Sequence, residues 1–204
     1  MSPEQPFTKE EIILAAARKR FAHFGFSKVT MDEIASDVGM AKPSLYYYYA
    51  TKERLFDAVI RQEQQQFAAD VGSMLKRRTS AAQKLKDYVG IRLHLFRELV
   101  NLSQLGFDSW AEMKTVSRDL FRSLEQQELD FLQTILAEGR ASGEFSPPHP
   151  QQAALIMLHV LQGLRMRMLR SASPPGLSES DYAGLRRESE LVIDYILSGI
   201  GKQS

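Results

Sequence analysis

Cysteine is absent from the 204-residue chain. Its absence excludes disulfides, thiolate metal sites and a cysteine nucleophile, and it suits a reducing compartment, so a cytoplasmic location is expected. Long apolar runs are missing too. Met1 to Glu11 is polar and charged, and no later stretch reaches the roughly 18 uncharged residues that a membrane span requires. A soluble protein with no membrane partner is expected. Neither sign of charge dominates, since 26 Lys and Arg stand against 25 Asp and Glu for a formal charge of +1. Global charge therefore gives no argument for a nucleic-acid partner, and any such case rests on local geometry. Catalytic ingredients are sparse as well. The histidines His23, His94, His149 and His159 are scattered, and there is no Glu-x-x-His pair, no Gly-x-Ser-x-Gly and no phosphate loop. Glu125, Glu128 and Asp130 read as a solvated helix face. Neither an enzyme nor a cofactor or metal is expected.

What the chain does have is helical periodicity. Apolar residues recur at helical spacing in segment after segment, whereas period-2 alternation is not sustained anywhere, so the fold class is all-α. A first helix runs from about Thr8 to Gly25 with Ile13, Ala17, Phe21 and Phe24 on one face. A second opens on the capping box Thr30-Met31-Asp32-Glu33 and stops at Gly39. A short third follows after Gly39-Met40-Ala41, with Pro43 in its first turn, where a missing N–H costs little. Thr51 caps a fourth, which continues to about Leu75. Longer helices are expected at about 80–101, 103–114, 118–142, 150–171 and 181–199, with breaks at Ser146-Pro147-Pro148 and Ser173-Pro174-Pro175-Gly176. The chain divides into a helix-turn-helix unit, residues 1–51, and a helical bundle, residues 52–204.

Two helices joined by a Gly-containing turn, with a third across them, form a helix-turn-helix, whose second helix can enter a major groove about 12 Å wide. On a wheel of about 100° per residue, Leu45 and Tyr49 of that helix face inward and Tyr47 is the exposed tip. Ser44 and Tyr48 occupy one flank, Tyr46 the other, and Lys42 the start. Between Gly39 and Lys52 the only ionised side chains are Lys42 and Lys52, so the patch is positive although the chain is almost neutral. Four consecutive tyrosines on a helix cannot all be buried, and exposed rings beside lysines mark a binding surface.

The run Thr30-Met31-Asp32-Glu33-Ile34-Ala35 to Val38-Gly39, then Leu45-Tyr46-Tyr47-Tyr48-Tyr49 and Thr51-Lys52-Glu53-Arg54-Leu55-Phe56, resembles the N-terminal domain of the TetR family of regulators. Ile13, Ala16-Ala17, Phe21 and Gly25-Phe26 of the first helix extend the match. The resemblance implies that Thr30, Lys42, Pro43, Ser44, Tyr46, Tyr47, Tyr48 and Lys52 face DNA. Three positions depart from the family pattern. Ala41 stands where a capping Ser or Thr is common, which removes one phosphate contact, Tyr48 replaces a common His, and Tyr49 a common Phe. Chemically, Ser44, Tyr47, Tyr48 and Lys52 suit phosphates, while Lys42, Tyr46 and Pro43 suit base edges or thymine methyls.

A short recognition helix touches few base pairs, so such modules act as two-fold dimers on half-sites about one DNA turn apart. Met157, Val160, Leu161, Leu164 and Met168, with Leu185, Val192 and Ile196, are candidates for that contact or for internal core. The resemblance, in which the last two helices form a four-helix interface, favours a homodimer. Large side chains in the middle helices, Tyr88, Phe96, Phe107, Trp110, Met113 and Phe121, suit a small-molecule cavity or simple core. Arg92, His94, His159 and Arg165 are polar groups that could orient an acidic or amphiphilic ligand there. The resemblance implies an effector in this domain, and a repressor released from a palindromic operator by it. The alternatives are a constitutive DNA-organising protein of the same fold without an effector and, from another class, a helical-bundle enzyme.

Overall fold

The computed structural model describes residues 7–101, 117–145, 149–171 and 177–200. The elements in these stretches are helices: α1 (Lys9–Phe24), α2 (Met31–Asp37), α3 (Lys42–Tyr48), α4 (Lys52–Leu75), α5 (Ala81–Asn101), α6 (Arg118–Ser142), α7 (Pro150–Ser171) and α8 (Glu179–Ile200). The all-α expectation is borne out. The helix expected at 103–114 and the two proline breaks lie outside the described residues. No described helix is long and apolar enough to cross a membrane.

Local chemistry sets the first three helices. Thr8 and Thr30 each close a capping box: the Thr30 hydroxyl accepts from Glu33 N at 3.3 Å while the Glu33 carboxylate accepts from Thr30 N at 2.8 Å. Thr8 and Glu11 repeat this at 3.2 and 2.7 Å. Two orphan amides at each helix start are thereby satisfied. Gly25 ends α1 at φ 80°, and Gly39 makes the turn between α2 and α3 at φ 66°, a left-handed conformation that a β-carbon disfavours. Ala41 precedes α3 without a side-chain cap, and Pro43 occupies its first turn.

Ile13, Ala17 and Phe21 of α1 meet Ile34 and Ala35 of α2, Leu45 of α3, and Leu55 and Phe56 of α4 in the core. Phe21 and Phe56 pack edge to face at 5.1 Å. The C-terminal half of α4 carries Phe67, Val71 and Met74 into the bundle, where α4 packs on α5, α5 on α6 and α8, and α7 on α6 and α8. One continuous helix thus contributes side chains to both cores.

Polar locks fix the bundle. Lys84 of α5 is buried, and its ammonium donates to Leu75 O at 2.8 Å and pairs with Glu138 at 2.5 Å. The Glu144 carboxylate accepts from Ala81 N at 2.9 Å and Ala82 N at 3.2 Å, capping α5 from the end of α6. These bonds to backbone N–H hold the Glu144 carboxyl below its usual range. Gly143, at φ 71°, turns the chain back so that the Phe145 ring lies on Gly139. A β-carbon at Gly139 would stand 2.2 Å from that ring, so only glycine permits the approach.

Candidate functional site

The α3 helix is held from beneath. Leu45 is fully buried, and the mostly buried Tyr49 donates its hydroxyl to Glu10 of α1 at 3.1 Å. Burial, with the neighbouring Glu10, pushes the Tyr49 hydroxyl up to about 12. With these two anchored, Lys42, Pro43, Ser44, Tyr46, Tyr47 and Tyr48 are all exposed. Tyr47 is the tip, at 87% exposure. Its ring lies 5.6 Å from that of Tyr48, edge to face, so the two phenols form one aromatic ledge. Thr30 is exposed at the start of α2, although its hydroxyl is already engaged with Glu33.

The electrostatics differ from the sequence-based expectation at both lysines. Lys42 is not a free cation, because its ammonium pairs with Asp32 of α2 at 2.7 Å, and this bond raises its pKa. It also lies 6.0 Å from the Tyr46 ring. Both ions are more than half exposed, so the pair is weak enough for DNA to displace Asp32. Lys52 is engaged within the chain. Its ammonium donates to Phe26 O at 2.9 Å and Val29 O at 3.0 Å, and stands 4.4 Å from the Phe26 ring centroid. The carbonyls between α1 and α2 occupy the group expected to hold a phosphate. Lys52 positions that loop, and the local positive patch is smaller than the sequence implied.

The bundle residues divide unevenly. Tyr88, Arg92, Phe96 and Phe121 are buried within it, as a ligand site or a core would have them. His159 and His94 are both exposed. Phe107, Trp110 and Met113 lie outside the described residues. Glu128, read as solvated, is instead buried beside Arg92 and Tyr88, and its oxygen accepts the Tyr88 hydroxyl at 3.1 Å. Its position gives the signal: Glu128 sits one turn from both Leu124 and Leu132, which are buried on the same face of α6. Burial, followed by Glu128, raises the Tyr88 hydroxyl well above the usual phenol range.

The dimer candidates divide too. Met157, Leu161, Met168 and Leu185 fill the chain's own core, Leu164, Val192 and Ile196 are half-buried, and only Val160 is exposed. Nearby on α7 lie the exposed Leu155 and Ile156, and on α8 the exposed Leu191 and Tyr195. Ile156 with Val160, and Leu191 with Tyr195, are exposed apolar pairs at i, i+4 spacing on these two adjacent helices. Gly163 lies on the same face of α7, with no atom near the place of a β-carbon. The sequence lists both sets as apolar at helical spacing, and only tertiary packing says which is already covered.

A compact three-helix head with a Gly-turned second pair, an exposed aromatic ledge on the third helix and a separate helical bundle defines a helix-turn-helix transcription regulator. The comparisons agree. The sequence model for bacterial regulatory proteins of the tetR family matches residues 13–59, which run from within α1 through α3 into the first third of α4. A transcriptional regulator from Cytophaga hutchinsonii, of known crystal structure, is 40% identical and superimposes with a TM-score of 0.87 over 95% of this chain and 99% of its own. The HTH-type regulator YhgD of Bacillus subtilis is 26% identical, covering 87% of this chain and 92% of its own. The HTH-type transcriptional repressor AcnR of Corynebacterium jeikeium is also 26% identical, over 82% and 85%. The chain belongs to the TetR family of transcription regulators.

Proposed function

We propose that the chain is a homodimeric repressor that binds a palindromic operator through α3 and leaves it when a small molecule enters the bundle. The reading divides the chain into a DNA-reading head, residues 1–51, and an effector and dimerisation domain, residues 52–204, acting in the cytoplasm. The observation that carries it is the sidedness of α3: Leu45 and Tyr49 hold it down while Lys42, Ser44, Tyr46, Tyr47 and Tyr48 stand clear. Tyr47, Tyr48 and Ser44 offer hydroxyls for phosphates, and Tyr46 and Lys42 are placed to meet base edges. Pro43 and Thr30 complete the surface.

The exposed apolar side chains of Leu155, Ile156, Val160, Leu191 and Tyr195 support self-association, because apolar surface on two adjacent helices matches itself across a two-fold axis. For the effector response, the relevant link is Arg18 of α1, which pairs with Glu63 of α4 at 2.5 Å and with Glu98 of α5. Any ligand that shifts α5 therefore pulls on the head directly. Repression is the sense suggested by the name of the Corynebacterium relative.

The test uses the purified chain and fragmented genomic DNA. Recovered fragments are expected to share an inverted repeat, to bind two chains each, and to lie upstream of genes whose transcription rises when the regulator's gene is deleted. Fragments spread without a common sequence would instead indicate a DNA-organising protein, and falling transcription an activator.

A further inference from the structure

The outward surface of α2 and α3 contains an acid. Asp32 stands in the first turn of α2, two residues from Thr30, and both of its oxygens meet the Lys42 ammonium of α3, at 2.7 and 2.9 Å. It is not the residue that closes the helix start. Glu33 does that, accepting from the Thr30 amide and hydroxyl, and its other oxygen pairs with Arg20 of α1 at 3.3 Å. Asp32 is directed at α3 instead. Of the two lysines in the motif, Lys52 is turned onto the Phe26 and Val29 carbonyls, so Lys42 is the ammonium at the outer surface, held by Asp32 with the Tyr46 ring 6.0 Å away. An acid in this place has a cost. A carboxylate beside DNA repels the phosphate backbone, and one that engages a lysine cancels most of the attraction which that lysine offers to any sequence.

The two kinds of acceptor on DNA act differently on this pair. A phosphate attracts the whole ammonium, and drawing it away leaves the Asp32 carboxylate unpaired against the backbone. A base edge demands less. An ammonium has three N–H donors, and the two oxygens of Asp32 take two of them, so one remains for guanine O6 or N7 with the pair intact. We infer that Asp32 is a specificity-determining residue, which holds Lys42 as a donor to a guanine edge and withholds it from phosphates, and so disfavours non-operator DNA more than the operator. This rests on the reading that α3 meets base edges, and it adds a residue of α2 that restricts the contact to the correct sequence.

The test measures binding of the full-length chain to two duplexes of equal length, one selected from a random library by the parent chain and one with the same bases scrambled, by fluorescence anisotropy over a range of salt. Asp32→Asn is expected to raise affinity for the scrambled duplex by about threefold or more, and to steepen its salt dependence by about one phosphate contact per chain. Affinity for the selected duplex is expected to change by less than about twofold, so the ratio of the two falls. Both ions are more than half exposed, so the melting temperature is expected to move little. Lys42→Met separates this from simple repulsion: in that background Asp32→Asn is expected to raise affinity for both duplexes alike and to leave their ratio unchanged. A ratio that Asp32→Asn does not lower in the parent chain, or lowers equally with Lys42→Met present, overturns the inference. A parent chain that binds both duplexes alike removes base reading by α3 and the inference with it. A discriminating parent whose ratio survives Asp32→Asn removes the inference alone.

Discussion

The Lys52 ammonium stands 4.4 Å from the Phe26 ring centroid and donates to the Phe26 carbonyl, tying the first turn of α4 to the end of α1. A lysine in this setting is a structural clamp on the loop that leads into α2. Lys52→Met is expected to lower the stability of the chain by about 1–3 kcal/mol, the range for bonds to a charged donor whose acceptors are left behind. Chemical denaturation followed by circular dichroism measures this. Unchanged stability together with a uniform loss of DNA affinity would restore the phosphate role and contradict the clamp.

The tip of α3 behaves in the opposite way. Tyr47 is 87% exposed, so Tyr47→Ala is expected to change stability by no more than about 0.5 kcal/mol. Operator affinity, read by fluorescence anisotropy, is expected to fall about tenfold or more. Tyr49→Phe, which removes the bond to Glu10, is expected to cost about 1 kcal/mol of stability and to affect DNA binding only through that loss. If Tyr47→Ala binds like the parent chain, Tyr47 does not touch the operator.

Gly139 and Phe145 give a prediction about packing alone. Gly139→Ala places a carbon 2.2 Å from the Phe145 ring and is expected to destabilise the chain by about 1–3 kcal/mol. Adding Phe145→Ala opens the space, so the double variant is expected to be less than additive. Strict additivity in a thermodynamic cycle would show that the contact is not the cause.

The self-association surface is tested at Ile156 and Tyr195, both exposed in the single chain. Ile156→Asp and Tyr195→Asp are expected to give folded monomers in sedimentation at micromolar concentration, with operator binding weakened in parallel. Folded dimers in both variants would place the interface elsewhere. A monomeric parent chain would remove the dimer altogether.

Much of this architecture was legible because it is local. Thr8 and Thr30 announce helix starts through the glutamate three positions on, Thr51 through its capping hydroxyl, and Gly25 and Gly39 announce stops. The inward pair Leu45 and Tyr49 follows from the helical period alone. What escaped was set by partners distant in sequence. Lys52 finds its carbonyls at Phe26 and Val29, and Lys42 finds Asp32, contacts that no count of charge within the motif includes. Glu128 reads as solvated beside Glu125 and Asp130 by charge, whereas its helix face, one turn from Leu124 and Leu132, buries it. On α7 and α8, periodicity locates apolar stripes but does not say which residues the chain's own packing covers, so the buried Met157 and Leu161 and the exposed Val160 stand in one candidate set.

The central claim is that α3 reads DNA from two symmetric positions, with Tyr46 on base edges. Selection of bound duplexes from a random library, by the parent chain and by Tyr46→Ala, tests it most directly. The account predicts a two-fold symmetric consensus for the parent, and in the variant a relaxed preference at the same position of both half-sites. An asymmetric consensus, or one that Tyr46→Ala leaves unchanged, would contradict it.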